Sequence, residues 1–293
     1  MTSRLPRAAE LLDLLLLEAA KLPRELRSLL RRPSYDEFYD EFFSDKDQLA
    51  YDADPRMVLR RATVREALER RLPPGAAVLD VGCGLGDVLA SLGDRFERFG
   101  VDYSERNVAY VRQRLGAEVD VRQSAIETLP FDAGSMDGCI CLEVLEHIED
   151  DEAAVIELGR VVREGGWLVA SVPSTYYFRR YQKLIGHFRH YDRQSFAALL
   201  QHGGFDVREH LPTHPGWHRA YGRRYVAVRA ASMILSRLSP RFSPSPYDFV
   251  WPTRQQPALR EAARALEPLL RAEASLDYAT SPTSTFVAAR RSR

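Results

Sequence analysis

Residues 78–86 read VLDVGCGLG. An apolar run through Val78 and Leu79 leads into Asp80. Gly82, Gly84 and Gly86 alternate behind it, and a helix-like DVLASL follows. Strand, glycine turn, helix is the context that lets a backbone lie close against a nucleotide-like ligand. The spacing is G-x-G-x-G, one residue shorter than the dinucleotide fingerprint. Asp80 stands at the strand tip. A carboxylate there repels a pyrophosphate and suits a ligand that carries an ammonium group and no phosphate.

Outward from this run, apolar segments alternate with helical patterns. Strands are predicted over 76–81, 97–102, 118–123, 136–144, 165–173 and 205–211, with a last one over 284–290. Helices are predicted over 104–115 behind a serine cap, over 149–162 with acids in its first turn, and over 193–203 with a closing glycine. This alternation predicts an α/β fold, a Rossmann-like sheet of seven mostly parallel strands with helices on both faces. Residues 1–72 read as an N-terminal helical extension whose last helix spans 55–72, and 73–211 as the core. Residues 212–283 are too long for a hairpin loop and read as a helical lid or insertion, and 284–293 as the last core strand and tail.

The 293 residues carry no net charge, are 45% hydrophobic and 28% charged, and can bury a full core. Bulk charge therefore gives no argument for nucleic acid, and no RNA-binding module is present. The three cysteines, Cys83, Cys139 and Cys141, sit in apolar or glycine-rich surroundings without a C-x-x-C pair. They read as reduced thiols in a cytoplasmic protein, and no metal is expected on them. LLDLLLLEAA (11–20) is too short to span a bilayer and is interrupted by Asp13 and Glu18. It reads as a packed helix, with docking on a membrane surface as the alternative.

The residues of chemical interest fall beyond the carboxyl ends of the predicted strands, where open α/β sheets bind ligands. Asp80 and the glycines follow strand one. Asp102 ends strand two, where a carboxylate can accept both ribose hydroxyls. Ser124, Ala125 and Ile126 follow strand three, and Glu143 to His147 follow strand four. Here the chain resembles the class I S-adenosyl-L-methionine (SAM)-dependent methyltransferases. The resemblance rests on VLDVGCGLG, GVDYS, ETLPF with the following MDGCICLEVLEHI, and REGGWLVASVPS, and it covers residues 74–211 and the final strand.

The resemblance implies SAM as cofactor and assigns residues to it. Asp80 would bind the methionine amino group, directly or through water. Gly82, Cys83, Gly84 and Gly86 would give the close backbone approach. Asp102 would hold the ribose, with Tyr103 beside the adenine and Ala125 and Ile126 at its edge. Glu143 and Val144 would border the sulfonium. Many members carry an aspartate where this chain has Ser124, so a serine hydroxyl or a main-chain group takes over the adenine contact there.

Two stretches stand out on the acceptor side. His147 in EVLEHI reads either as a general base or as a helix-start histidine bonded to backbone. In GHFRHYDR (186–193), His190 and Tyr191 are candidate catalytic groups and His187 and Arg189 candidate substrate contacts. Similar runs occur in family members acting on small molecules, sugars or lipids. The competing reading is a loop whose polar groups bond one another. His210, His214 and His218 are spaced by four, but Pro212 and Pro215 break any helix that would align them, so metal binding is not expected. Between Leu211 and Tyr247 lie six arginines and no acid, which suits an anionic acceptor or a solvated basic face.

The expected activity is methyl transfer from SAM to a small-molecule nucleophile, an oxygen for preference, on a sugar, lipid or other anionic acceptor. A non-catalytic SAM-binding or membrane-associated scaffold and a nicotinamide-dependent oxidoreductase are the alternatives. The sequence does not fix an oligomeric state.

Overall fold

Val78, Leu79 and Val81 are all buried, although they point to alternate faces of their strand. A strand apolar on both faces belongs in the middle of a sheet covered on both sides. The computed structural model, which describes residues 55–173, 187–211 and 284–292, places it there. Strand β1 (Ala77–Val81) pairs in parallel with β2 (Glu97–Asp102) on one side and β4 (Met136–Leu142) on the other. With β3 (Val119–Gln123), β5 (Val162–Pro173), β6 (Phe205–His210) and β7 (Ser284–Arg291), the sheet order is β3-β2-β1-β4-β5-β7-β6. Strand β7 runs antiparallel to both its neighbours, β5 and β6; β1 to β5 are mutually parallel.

The strand alternation sorts the core into two layers. Leu79, Val81, Cys139, Cys141, Leu168 and Ala170 face α4 (Asp151–Val161) and α5 (Arg193–His202), meeting Val155, Leu158, Phe196 and Leu200. Val78, Ile140, Val169 and Ala288 face the opposite way, meeting Val64 and Leu68 of α1 (Pro55–Glu69) and Val88 and Leu92 of α2 (Asp87–Leu92). Helix α3 (Glu105–Leu115) covers the β2–β3 edge through Val108 and Val111. The helix starts are those the sequence signals. Ser104 caps α3 and Asp150 caps α4, each accepting from a backbone N–H, and Asp192 with Ser195 forms a capping box on α5. All three cysteines are buried and free, and burial pushes their thiols up.

Boundaries move by a few residues. Helix α1 ends at Glu69, α4 begins at Asp151, β5 starts three residues early at Val162, and β4 stops at Leu142. Beyond it Glu143 takes a positive φ of 57°, which no strand residue holds. The leucine-rich segment, the predicted insertion with its arginines, and His214 and His218 lie outside the described residues. Among the described residues no helix is long and apolar enough to cross a membrane.

Candidate active site

The strand order reverses between β1 and β4: β2 and β3 lie to one side, β5 to the other. The crevice past the carboxyl ends of two such strands is where a doubly wound sheet takes its ligand. The segment after β1 and the segment after β4 meet there. Gly82 has φ 70°, and a Cβ built on it would lie 2.4 Å from Val144 Cγ2. Gly84, at φ 53°, has no atom within 4 Å of a built Cβ. The first glycine is thus demanded by contact with the β4 segment. The second leaves an open backbone surface.

Three carboxylates surround this turn. Asp80 is 3% exposed, and no described residue hydrogen-bonds its side chain. Its pKa stands well above the ordinary carboxylate range, chiefly through burial and then through the charges of Asp87 and Asp102; Arg60 on α1 opposes the shift. Asp87 opens α2 and pairs with Arg61 at 3.3 Å. Asp102 ends β2. Its Oδ2 accepts from the Gly84 N–H at 2.8 Å, and its Oδ1 from the Ser104 N–H at 3.0 Å and Asn107 Nδ2 at 3.1 Å. Burial raises its pKa and these bonds oppose the rise. A buried cluster of acids around an open glycine backbone fits a ligand with positive charge. It opposes an anionic pyrophosphate.

Around this centre the remaining predicted residues take their places. The Tyr103 side chain is 48% exposed beside the end of β2. The Ser124 N–H donates to Asp102 O at 3.1 Å, while its hydroxyl donates to Thr128 O at 2.6 Å within the turn opened by Ile126. Glu143, just past β4, is held by its N–H on Ser171 O at 2.8 Å and by the Ser171 hydroxyl on Oε1 at 2.7 Å. Cys83 donates its N–H to Val101 O, beside the Gly82 N–H on the same carbonyl. Gly86 takes φ 72° ahead of α2.

The acceptor-side candidates form a second cluster, reached through Val144, whose carbonyl accepts the His147 N–H at 2.9 Å. The His147 and His187 rings meet edge to face at 4.4 Å, and His187 Nδ1 lies 2.7 Å from His190 Nε2. Phe188 N–H donates to Glu146 O at 2.7 Å, docking the 187–191 stretch onto the β4–α4 connection. Tyr191 and Arg189 converge instead on Asp151 at the start of α4. The Tyr191 hydroxyl donates to Oδ2 at 2.7 Å, and Arg189 bonds Oδ1 and, at 2.6 Å, the carbonyl of Glu149. Burial, followed by the Asp151 bond, pushes the Tyr191 phenol far up. The loop-bracing alternative therefore describes Tyr191 and Arg189, while the three histidines lie together.

Sequence reasoning missed Asp87, Asn107, Asp151 and Ser171, and it gave Glu146 no role of its own. Glu146 lay in plain sight within EVLEHI. It is 1% exposed, with burial and the charge of Glu143 raising its pKa well above normal. Asp151 carries a helix-start signal that masks its second task.

Comparison with known proteins agrees with this geometry. Residues 79–170 match the family model described as a methyltransferase domain. A protein of Mycolicibacterium smegmatis named as a probable S-adenosylmethionine-dependent methyltransferase is 31% identical over 64% of this chain and 73% of its own length. A ubiquinone biosynthesis O-methyltransferase of Methylocella silvestris is 36% identical, but over 33% of this chain and 40% of its own length. Among solved structures, geranyl diphosphate methyltransferase in complex with SAM superposes with a TM-score of 0.52 at 16% identity, covering 79% of this chain and 84% of that one. The phosphoethanolamine N-methyltransferase 2 of Haemonchus contortus gives 0.58 at 17% identity, over 89% and 61%. With its sheet order, its glycine turn and a relative matched over most of that relative's length, the chain belongs to the class I SAM-dependent methyltransferases.

Proposed function

We propose that the chain moves the methyl group of SAM to an oxygen of a small-molecule acceptor. The observation that carries this reading is the buried acid cluster Asp80, Asp87 and Asp102 around the glycine turn. It suits the ammonium and sulfonium charges of SAM, and Asp80 at the tip of β1 sets a carboxylate where a dinucleotide would bring its pyrophosphate. Family membership displaces the oxidoreductase and non-catalytic scaffold alternatives.

In this reading Asp80 binds the amino group. Gly82, Cys83, Gly84 and Gly86 present backbone, and Asp102 uses its remaining lone pairs on the ribose. Tyr103 offers an exposed ring face to the adenine, with Ser124, Ala125 and Ile126 along its edge. Glu143 and Val144 border the sulfonium. SAM supplies an activated methyl on a good, neutral leaving group, so the protein's main task is alignment. An acceptor hydroxyl must also lose its proton, and the edge built by His147, His187 and His190 is where it does so. Tyr191 and Arg189 hold that edge through Asp151. Residues 73–211 with the final strand form the catalytic unit.

The acceptor atom is supported by the O-methyltransferases among the relatives, which are named for ubiquinone biosynthesis. Six arginines between Leu211 and Tyr247 support an anionic group on the acceptor, and a lipid headgroup at a membrane surface is one such. Incubation with isotopically labelled SAM and a panel of hydroxylated sugars, lipids and carboxylates tests this. Label in an ether or ester product, absent with Asp80→Ala, is expected. Label appearing on amines alone rejects the oxygen assignment.

A further inference from the structure

Glu146 is the anomaly of the acceptor side. Its carboxylate is sealed from solvent, and neither oxygen has a hydrogen-bond partner. A carboxylate stripped of water is costly to keep charged, so a buried acid is paired, hydrogen-bonded, bound to a cation or protonated. Two imidazoles stand beside it. One ligand atom each from Glu146, His147 and His187 fall within 4.8 Å of one another, with His147 Nε2 at 4.0 Å from Glu146 Oε1.

We propose that Glu146, His147 and His187 bind a divalent first-row transition-metal ion, whose open positions take the acceptor oxygen. One carboxylate and two imidazoles are the donor set of such ions, and three protein ligands leave room for a further oxygen. Tetrahedral coordination puts donors about 3.3 Å apart at bond lengths of about 2.0–2.1 Å, so the side chains close inward by about an ångström or somewhat more. His190 bonds the His187 ring at 2.7 Å and fixes its orientation, the usual task of a partner behind a metal-bound imidazole. His187 arrives from a stretch far along the chain, while Glu146 and His147 are adjacent, so the site also pins the 187–191 stretch onto the β4–α4 connection.

The inference rests on the reading that the histidine edge is the acceptor side, and it makes His147 a ligand rather than a free base. On binding the ion, the acceptor hydroxyl releases its proton to water. The oxygen lone pair then forms the O–CH3 bond as the C–S bond breaks, its electrons going to sulfur.

The test is titration of the chelator-treated full chain with Zn2+ by calorimetry and with Co2+ by visible absorption. SAM is titrated separately into the same preparations. Expected are one equivalent of metal and d–d bands of a low-symmetry site. Affinity should fall at least tenfold in His187→Ala and Glu146→Gln, and by about tenfold in His190→Ala. Glu146→Gln keeps the shape of the buried side chain and so tests the site without opening a cavity. Unchanged SAM affinity together with no stoichiometric metal, or with equal metal affinity in all variants, overturns the site and leaves the methyltransferase reading standing. Failure to bind SAM overturns that reading instead.

Discussion

Asp80 sits in β1 with neighbours that would be better served by an apolar residue. Its carboxyl is buried and has no hydrogen-bond donor among the described residues. A raised folded-state pKa on an acid means that the folded state binds more protons than the unfolded one once the pH reaches the ordinary carboxylate range. Its stabilising effect is present at low pH and is lost as pH rises through the folded pKa. Asp80→Asn should therefore keep or raise thermal stability at neutral pH and flatten its decline with pH, as thermal melts across pH will show. The same substitution should weaken SAM about 10–100-fold, since a desolvated charge pair is worth several kcal/mol at most. In the wild type, SAM affinity should tighten as pH climbs past the ordinary carboxylate range and Asp80 ionises, and this dependence should vanish in Asp80→Asn. Gly82 makes a second residue-scale case. Gly82→Ala meets Val144 Cγ2 at 2.4 Å in a backbone of φ 70° and should cost about 1–3 kcal/mol in denaturant unfolding. Adding Val144→Ala should return the contact part of that loss and leave the backbone strain.

At the scale of elements, the connection from β4 to α4 is where sequence and structure part. The strands and helix starts were legible, because Ser104, Asp150 and Asp192 announce helices and the apolar runs announce strands. The donor side was equally legible, since Asp80, the glycines and Asp102 follow one another closely in the chain. The acceptor side was not. Asp151 joins Tyr191 and Arg189 across about 40 residues, and Glu146 meets His187 across a similar gap, so only the fold brings them together. A histidine or tyrosine in a polar stretch gives no local sign of whether it touches substrate or braces a loop. Tyr191→Phe should cost about 1–3 kcal/mol, because it leaves one buried Asp151 oxygen without its hydroxyl donor. Turnover should fall with little change in SAM affinity, a split that steady-state kinetics beside a SAM titration will resolve.

For the molecule as a whole, the last strand decides whether the sheet is complete. Strand β7 inserts antiparallel between β5 and β6, and Phe286, Val287, Ala288 and Ala289 are buried on its two faces. Arg291 also caps Gly159 O at the end of α4 and Gly203 O at the end of α5, both at 2.9 Å. Removing residues 284–293 should strand β6, uncover both core layers and abolish cooperative unfolding, as judged by circular dichroism on the truncated chain. The sequence places this strand but does not show its direction.

In the proposed reading, the crevice between β1 and β4 is built for a cationic, phosphate-free nucleoside. Calorimetric titration of the full chain with SAM and S-adenosylhomocysteine, with NADH as control, tests it most directly. The account predicts micromolar binding of the first two, SAM weakened in Asp80→Asn, and no binding of NADH. Binding of NADH, or SAM affinity unchanged in Asp80→Asn, would contradict it.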